Sequence, residues 1–159
     1  MEQLVQGREE EAAVDQDSER VEVISVVAPE GAQFHGDELA KAFEHNQLYP
    51  GDQGIYHRMV VQGMKQRAVF GVANLVKPGT FPLQDMARFR TPGVTLFLQL
   101  PGPLDGVEAF DDFVNTAERL AVELGGELKD QRHSILTHQA LMQIRESIAE
   151  AGLRAQVAS

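Results

Sequence analysis

His57 is the residue of this chain best placed by type to do chemistry, since it stands in a strand-like run between Tyr56 and Arg58. An imidazole there is a candidate general base, and with a nearby acid it would serve a small hydrolase or transferase. No partner acid is visible in the sequence beside it, and a structural histidine holding a hydrogen bond is the more ordinary reading. His133 and His138 are five positions apart and do not share a helix face as an i, i+4 metal pair does. Lys77, before Pro78-Gly79, is one lysine at a turn: a lone phosphate contact, or a cation that blunts a strand end or rims a groove. Asp111 and Asp112 are adjacent, point in different directions on a helix, and read as a solvated face. The nucleophile elbow G-x-S-x-G, the phosphate loop, G-x-G-x-x-G and H-E-x-x-H are all absent. With 0 cysteines there are no disulfides, thiolate zinc sites or cysteine nucleophiles, which fits a reducing compartment. The expectation is a non-enzyme without cofactor or metal.

Charge narrows the partners. A formal net charge of -10 argues against nucleic acid, whose phosphates are bound mainly by lysine and arginine. Residues 1–20 hold seven acids (Glu2, Glu9, Glu10, Glu11, Asp15, Asp17, Glu19) and two bases (Arg8, Arg20), or -5, half the excess. That stretch has no sustained apolar period and is expected to be a disordered acidic linker remnant. Residues 21–152 are expected to form one domain and 153–159 a flexible tail. No stretch reaches the roughly 20 apolar residues of a membrane helix, and the start lacks a signal-peptide layout, so the chain as given is expected to be soluble.

The elements that must hold these residues follow from periodicity. Val21–Ala28 is rich in β-branched residues and stops at Pro29, a first strand. Leu39, Ala40 and Phe43 have helical spacing between Gly36 or Asp37 and Asn46. Ile55–Val60 and a segment from near Ala68 are strands joined by a polar hairpin connection. Residues 83–88 make one helical turn, and Val94–Leu100 is a further strand. Asp105 with Glu108 resembles a capping box, opening a helix with an apolar stripe of Val107, Phe110, Val114, Ala117, Ala121 and Leu124. Gly125-Gly126 ends it, a short strand lies near Glu127–Lys129, and Thr137 caps a last helix that buries Leu141, Ile144 and Ile148.

Alternation then exposes a mismatch. In the strand from Phe70, Phe70, Val72 and Val76 point one way, and Gly71, Ala73, Leu75 and Lys77 the other. In the strand after it, Val94, Leu96, Leu98 and Leu100 form one face, and Thr95, Phe97 and Gln99 the opposite one. The first set of each is core. Ala73, Leu75 and Phe97 are too apolar for an ordinary wet face, yet three helices cover only one face of a five- or six-stranded sheet. Either the acidic tail covers them, with Leu4, Val5 and Val14 as its few anchors, or an outside partner does. Self-association through that face is the third possibility.

GDQGIYHR (51–58), FGVANLVKPGTF (70–81), TPGVTLFLQLP (91–101) and ELGGELKDQR (123–132), with Leu136-Thr137 after them, are similar in residues and order to one family. The chain resembles the C-terminal domain of the bacterial cell-division protein ZipA from about Val21 to Ala151. The resemblance implies an α+β fold of split β-α-β type: an antiparallel sheet of about six strands, three helices packed on one face and a shallow groove on the other. It implies that the groove binds the C-terminal tail peptide of FtsZ, with Val21, Val23, Gln53, Ile55, Ala73, Leu75, Lys77, Thr95 and Phe97 as the peptide-binding residues. Family members studied most carry methionine at the positions of Gln53 and Leu75; leucine keeps apolar volume, whereas glutamine makes that edge of the groove more polar. The resemblance further implies a full-length parent anchored in the inner membrane by an N-terminal helix not seen here, facing the cytoplasm and tethering the division ring. This domain itself is expected to be monomeric.

Overall fold

The structure is a computed structural model and describes residues 19–158; the expected linker over 1–20 lies, but for its last two positions, outside the described residues. Eight strands and three α-helices are described, in the order β1 (Arg20–Val27), β2 (Phe34–His35), α1 (Gly36–His45), β3 (Tyr49–Pro50), β4 (Tyr56–Gln62), β5 (Lys65–Asn74), β6 (Arg90–Thr91), β7 (Gly93–Leu100), α2 (Gly106–Leu124), β8 (Glu127–Lys129) and α3 (His138–Ala158). Single 3-10 turns stand at Asp52–Gly54 and Met86–Arg88. Six strands make one sheet, ordered β3-β4-β5-β7-β1-β8, and every pairing in it is antiparallel. β2 and β6 form a separate ribbon. The α+β class expected from the sequence is the class observed.

Each long helix forms where capping and periodicity agree. The Asp105 carboxylate accepts from the Glu108 N–H at the start of α2, and Gly125, at φ 70°, takes the left-handed conformation that ends it. The Thr137 hydroxyl accepts from the Ala140 N–H in front of α3. α3 continues to Ala158, beyond residue 152, so helix occupies most of the stretch expected as a flexible tail.

The core lies between the helices and one sheet face. Ile24, Val26, Val72, Val94, Leu96, Leu98 and Leu100 are buried there, as alternation requires. α2 packs on β1, β7, β8, α1 and α3. Its buried face is therefore wider than the expected stripe and takes in Ala109, Phe113, Thr116 and Leu120. Two aromatic groups fill the layer: Phe43, Tyr56, Phe81 and Phe89 meet at centroid separations of 4.5–5.8 Å, and Phe70, Phe113 and Phe110 at 5.6 and 6.2 Å.

Two sequence expectations are corrected. Val76 is 47% exposed rather than core, because β5 ends at Asn74 and the period-two alternation stops with it. Asn74 takes the buried place: its side-chain oxygen accepts from the Thr91 hydroxyl at 2.6 Å, and its backbone N–H donates to the Gly79 carbonyl at 3.1 Å, closing the turn. Asp111 and Asp112 are not a merely solvated face. Arg145 of α3 makes two hydrogen bonds to Asp111 at 2.8 and 2.9 Å, and Arg58 of β4 donates to Asp112 at 3.0 Å.

Candidate functional site

The helix-free sheet face is built by register. Cα partners run Val23–Phe97–Gly71–His57–Tyr49 across β1, β7, β5, β4 and β3. A second row runs Lys129–Ser25–Thr95–Ala73 across β8, β1, β7 and β5. The intervening row, Ile24–Leu96–Val72–Tyr56, is the buried one, which fixes the first two on the open side.

Five expected groove residues are thereby brought together. Val23, Ala73, Thr95 and Phe97 sit side by side in the two rows, each half-buried. Leu75 joins them from just past the end of β5: its Cδ2 lies 2.9 Å from where a Cβ on Gly93 would stand. Thr95 and Ser25 hold their hydroxyls 3.1 Å apart, and Ser25 is buried although it faces the open side. Val21 lies on the same face at the far end of β1, opposite Gln99, and is 55% exposed.

The remaining three come from turns rather than strands. Gln53 is exposed, at φ 69° in the 3-10 turn, and Ile55 is half-buried directly after it. That turn is tied to the segment after β5 by the Phe81 N–H donating to the Gly54 carbonyl at 2.8 Å. Lys77 lies exposed in the turn beyond β5, so strand alternation does not aim its side chain.

Sequence reasoning assigned no role to Gly71, which lies under Phe97. A Cβ built on Gly71 would come within 2.3 Å of Phe97 Cζ and 2.9 Å of Cε1, so the tip of the ring occupies the space over the β5 backbone at that point. A glycine inside a strand, facing the same way as a phenylalanine on the neighbouring strand, is the sequence signal for such an approach.

His57 also belongs to this face. Its Nδ1 stands 2.9 Å from where a Cβ on Gly51 would be, so a second glycine gives its ring room. Burial pushes its pKa below the usual histidine value, favouring the neutral imidazole. Among the described residues no hydrogen bond or ion pair reaches the ring. A structural histidine with a partner is therefore corrected, and the acid that a general base would need is missing too. Nor do the described residues hold a group of three His, Asp or Glu side chains that could bind a metal.

Two cavities lie away from Phe97, the second of them touching Val21 and Val23. One of about 490 Å³ is lined by Leu100, Leu104, Val107, Ile148 and Leu153, between α2 and the last turns of α3. Another of about 280 Å³ lies at the outer edge of β1, against Phe113, Leu136 and Leu141.

An antiparallel sheet backed by helices on one side, with an apolar face that the described residues leave open and no catalytic constellation among them, defines a surface-presenting α+β domain. The family described as "ZipA, C-terminal FtsZ-binding domain" matches residues 20–147, and the chain belongs to that family, a non-catalytic one of cell division. Relatives named "Cell division protein ZipA" are similar over most of the chain. That of Marinobacter nauticus is 43% identical over 134 residues, 84% of this chain and 40% of its own length. That of Pseudomonas fluorescens strain SBW25 is 42% identical over 138 residues, 87% of this chain and 48% of its own length. That of Pseudomonas aeruginosa strain LESB58 is 40% identical over 141 residues, 89% and 47% respectively. The chain thus spans about half the length of the curated relatives it matches. No described helix is long and apolar enough to cross a membrane.

Proposed function

We propose that this domain docks the C-terminal tail peptide of FtsZ on the open sheet face. Its full-length parent, anchored in the inner membrane by an N-terminal helix, would thereby tether and stabilise the division ring at the cytoplasmic side. The supporting observation is Phe97, whose ring tip lies over Gly71 on the side that the described helices leave open, with Val23 beside it in register and Ala73 one row along. A flat apolar floor of this kind suits a peptide that lays down hydrophobic side chains, and it has no cleft in which to enclose a reacting group. The hydrolase or transferase reading of His57 is set aside, since the family is non-catalytic and no acid among the described residues reaches the ring.

Burying roughly 400 Å² of apolar area at about 25 cal/mol per Å² would yield about 10 kcal/mol. Association and ordering oppose it by roughly 4–15 kcal/mol, leaving an affinity on the order of micromolar. Weak single contacts suit a polymer partner, because many tethers together supply avidity.

Titration of the folded domain with the FtsZ tail peptide, followed by backbone NMR shifts, tests partner and surface together. Shifts are expected at Val23, Ala73, Leu75, Thr95 and Phe97; a titration without them refutes the docking face. Lys77 is expected to contribute an exposed contact to an acidic peptide residue. Binding should then weaken as salt rises, and the Lys77→Ala variant should lose that dependence. A light-scattering concentration series of the free domain is expected to show a monomer. A concentration-dependent dimer that the peptide dissociates would point instead to self-association through the same face.

A further inference from the structure

We propose that His57 is a specificity-determining residue of the docking face, its imidazole hydrogen-bonding an acidic side chain of the bound peptide. This rests on the docking reading above and deepens it.

Three observations carry it. His57 stands in the same transverse row as Val23 and Phe97, with Gly71 between, and Phe97 reaches over Gly71 with its ring tip. A peptide laid on Phe97 and extending toward β3 therefore meets the imidazole next. Second, the imidazole packs against Gly51, where a Cβ would stand 2.9 Å from Nδ1, and the residue is only half-buried. Among the described residues its nitrogens have no partner, so they are available to a ligand. Third, the charge around it fits an acid. The chain carries a net -10, yet neither floor row contains a carboxylate. The ionisable groups in those rows are Lys129, His57 and Tyr49. Of the elements packed against His57, β5 offers only Gly71, β3 offers Tyr49, and the 51–54 turn has one titratable residue, the exposed Asp52.

A carboxylate accepting from the ring stabilises imidazolium, so binding takes up a proton and affinity rises as pH falls through the histidine range. Peptide carboxylates keep their charge over that interval, having pKa values near 4, so the histidine is the group that titrates.

The test is a titration of the intact domain with the FtsZ tail peptide at about pH 7.5 and about pH 5.5, with the His57 ring followed by NMR. Wild type should gain about five- to tenfold in affinity at the lower pH, the gain set by a shift of up to one pKa unit. The His57→Gln variant, its fold checked by backbone spectrum, should bind with no such gain. One acid-to-amide change in the peptide should remove the gain in wild type and change nothing further in His57→Gln. Binding that shifts Phe97 but shows no pH dependence, and is unaltered in His57→Gln and His57→Ala, overturns the role of His57 alone. Absence of binding to wild type at either pH overturns the docking reading and this inference with it.

Discussion

Phe97 and Gly71 act as one unit. The ring occupies the space a side chain on Gly71 would fill, so the glycine sets the depth of the floor while the phenylalanine supplies its area. Phe97→Ala is expected to cost about 2 kcal/mol of peptide binding with the fold intact, because a central aromatic on a floor of small residues is the usual hot spot. Calorimetric titration of the folded variant checks it, and unchanged affinity removes Phe97 from the site. Gly71→Ala adds a single methyl where the ring tip lies and should lift Phe97 out of place. It is expected to weaken the peptide while urea stability stays near wild type, glycine being no asset to a strand by itself. Most of the floor was legible in the sequence, since period-two alternation separates Ala73, Thr95 and Phe97 from Val72, Val94 and Leu96. The role of Gly71 was not read because contact between facing strands depends on register, and register is not written within one strand.

At the scale of elements, Arg58 joins the hairpin to the helical layer. Its guanidinium donates to Asp112 at 3.0 Å and to Thr116 at 2.9 Å on α2, and it lies 5.6 Å from the Phe70 ring centroid. Arg58→Ala leaves the buried Thr116 hydroxyl without this donor, and a loss of about 2 kcal/mol in urea unfolding is expected. Arg58→Lys should recover only part of it, since an ammonium lacks the planar fork that reaches both acceptors. Elements with strong local signals, such as the capped α2 and the β-branched β1, were legible from residue order. Val76 shows the limit: nothing in FGVANLVK marks Asn74 as the strand's last residue, because the bond that stops it comes from Thr91 on a distant segment. The breadth of α2's buried face was hidden for a similar reason. Phe113 and Leu120 face elements whose positions depend on the whole topology.

For the molecule as a whole, His57 and Asp111 are the groups whose shifts act on stability as pH falls. Burial lowers the folded-state pKa of His57, so below the unfolded value of about 6.5 the unfolded chain holds the extra proton. Stability is full above that value and is lost as pH falls through it toward the folded pKa. The Arg145 guanidinium holds the Asp111 carboxyl below its usual range, a contribution present above the unfolded carboxylate value of about 3.9 and lost as pH falls through the folded one. Urea midpoints are therefore expected to decline in two stages on acidification, and His57→Gln should remove the first. A midpoint flat from about pH 7 to 5 in wild type would contradict the burial of His57.

The antiparallel register of β1 and β7 has a mechanical side. The eight residue pairs from Arg20–Leu100 to Val27–Gly93 link the strand that the upstream chain enters to the strand that carries Phe97. Tension drawn along β1 from its N-terminal end loads that ladder in shear, so its bonds resist together, whereas a load across the sheet would unzip them one pair at a time. A peptide held on β7 would thus be gripped by a clamp whose internal seam is strongest along the line of pull. Rupture under force is governed by unfolding rate rather than by equilibrium stability. The same ladder would therefore set how long the link endures.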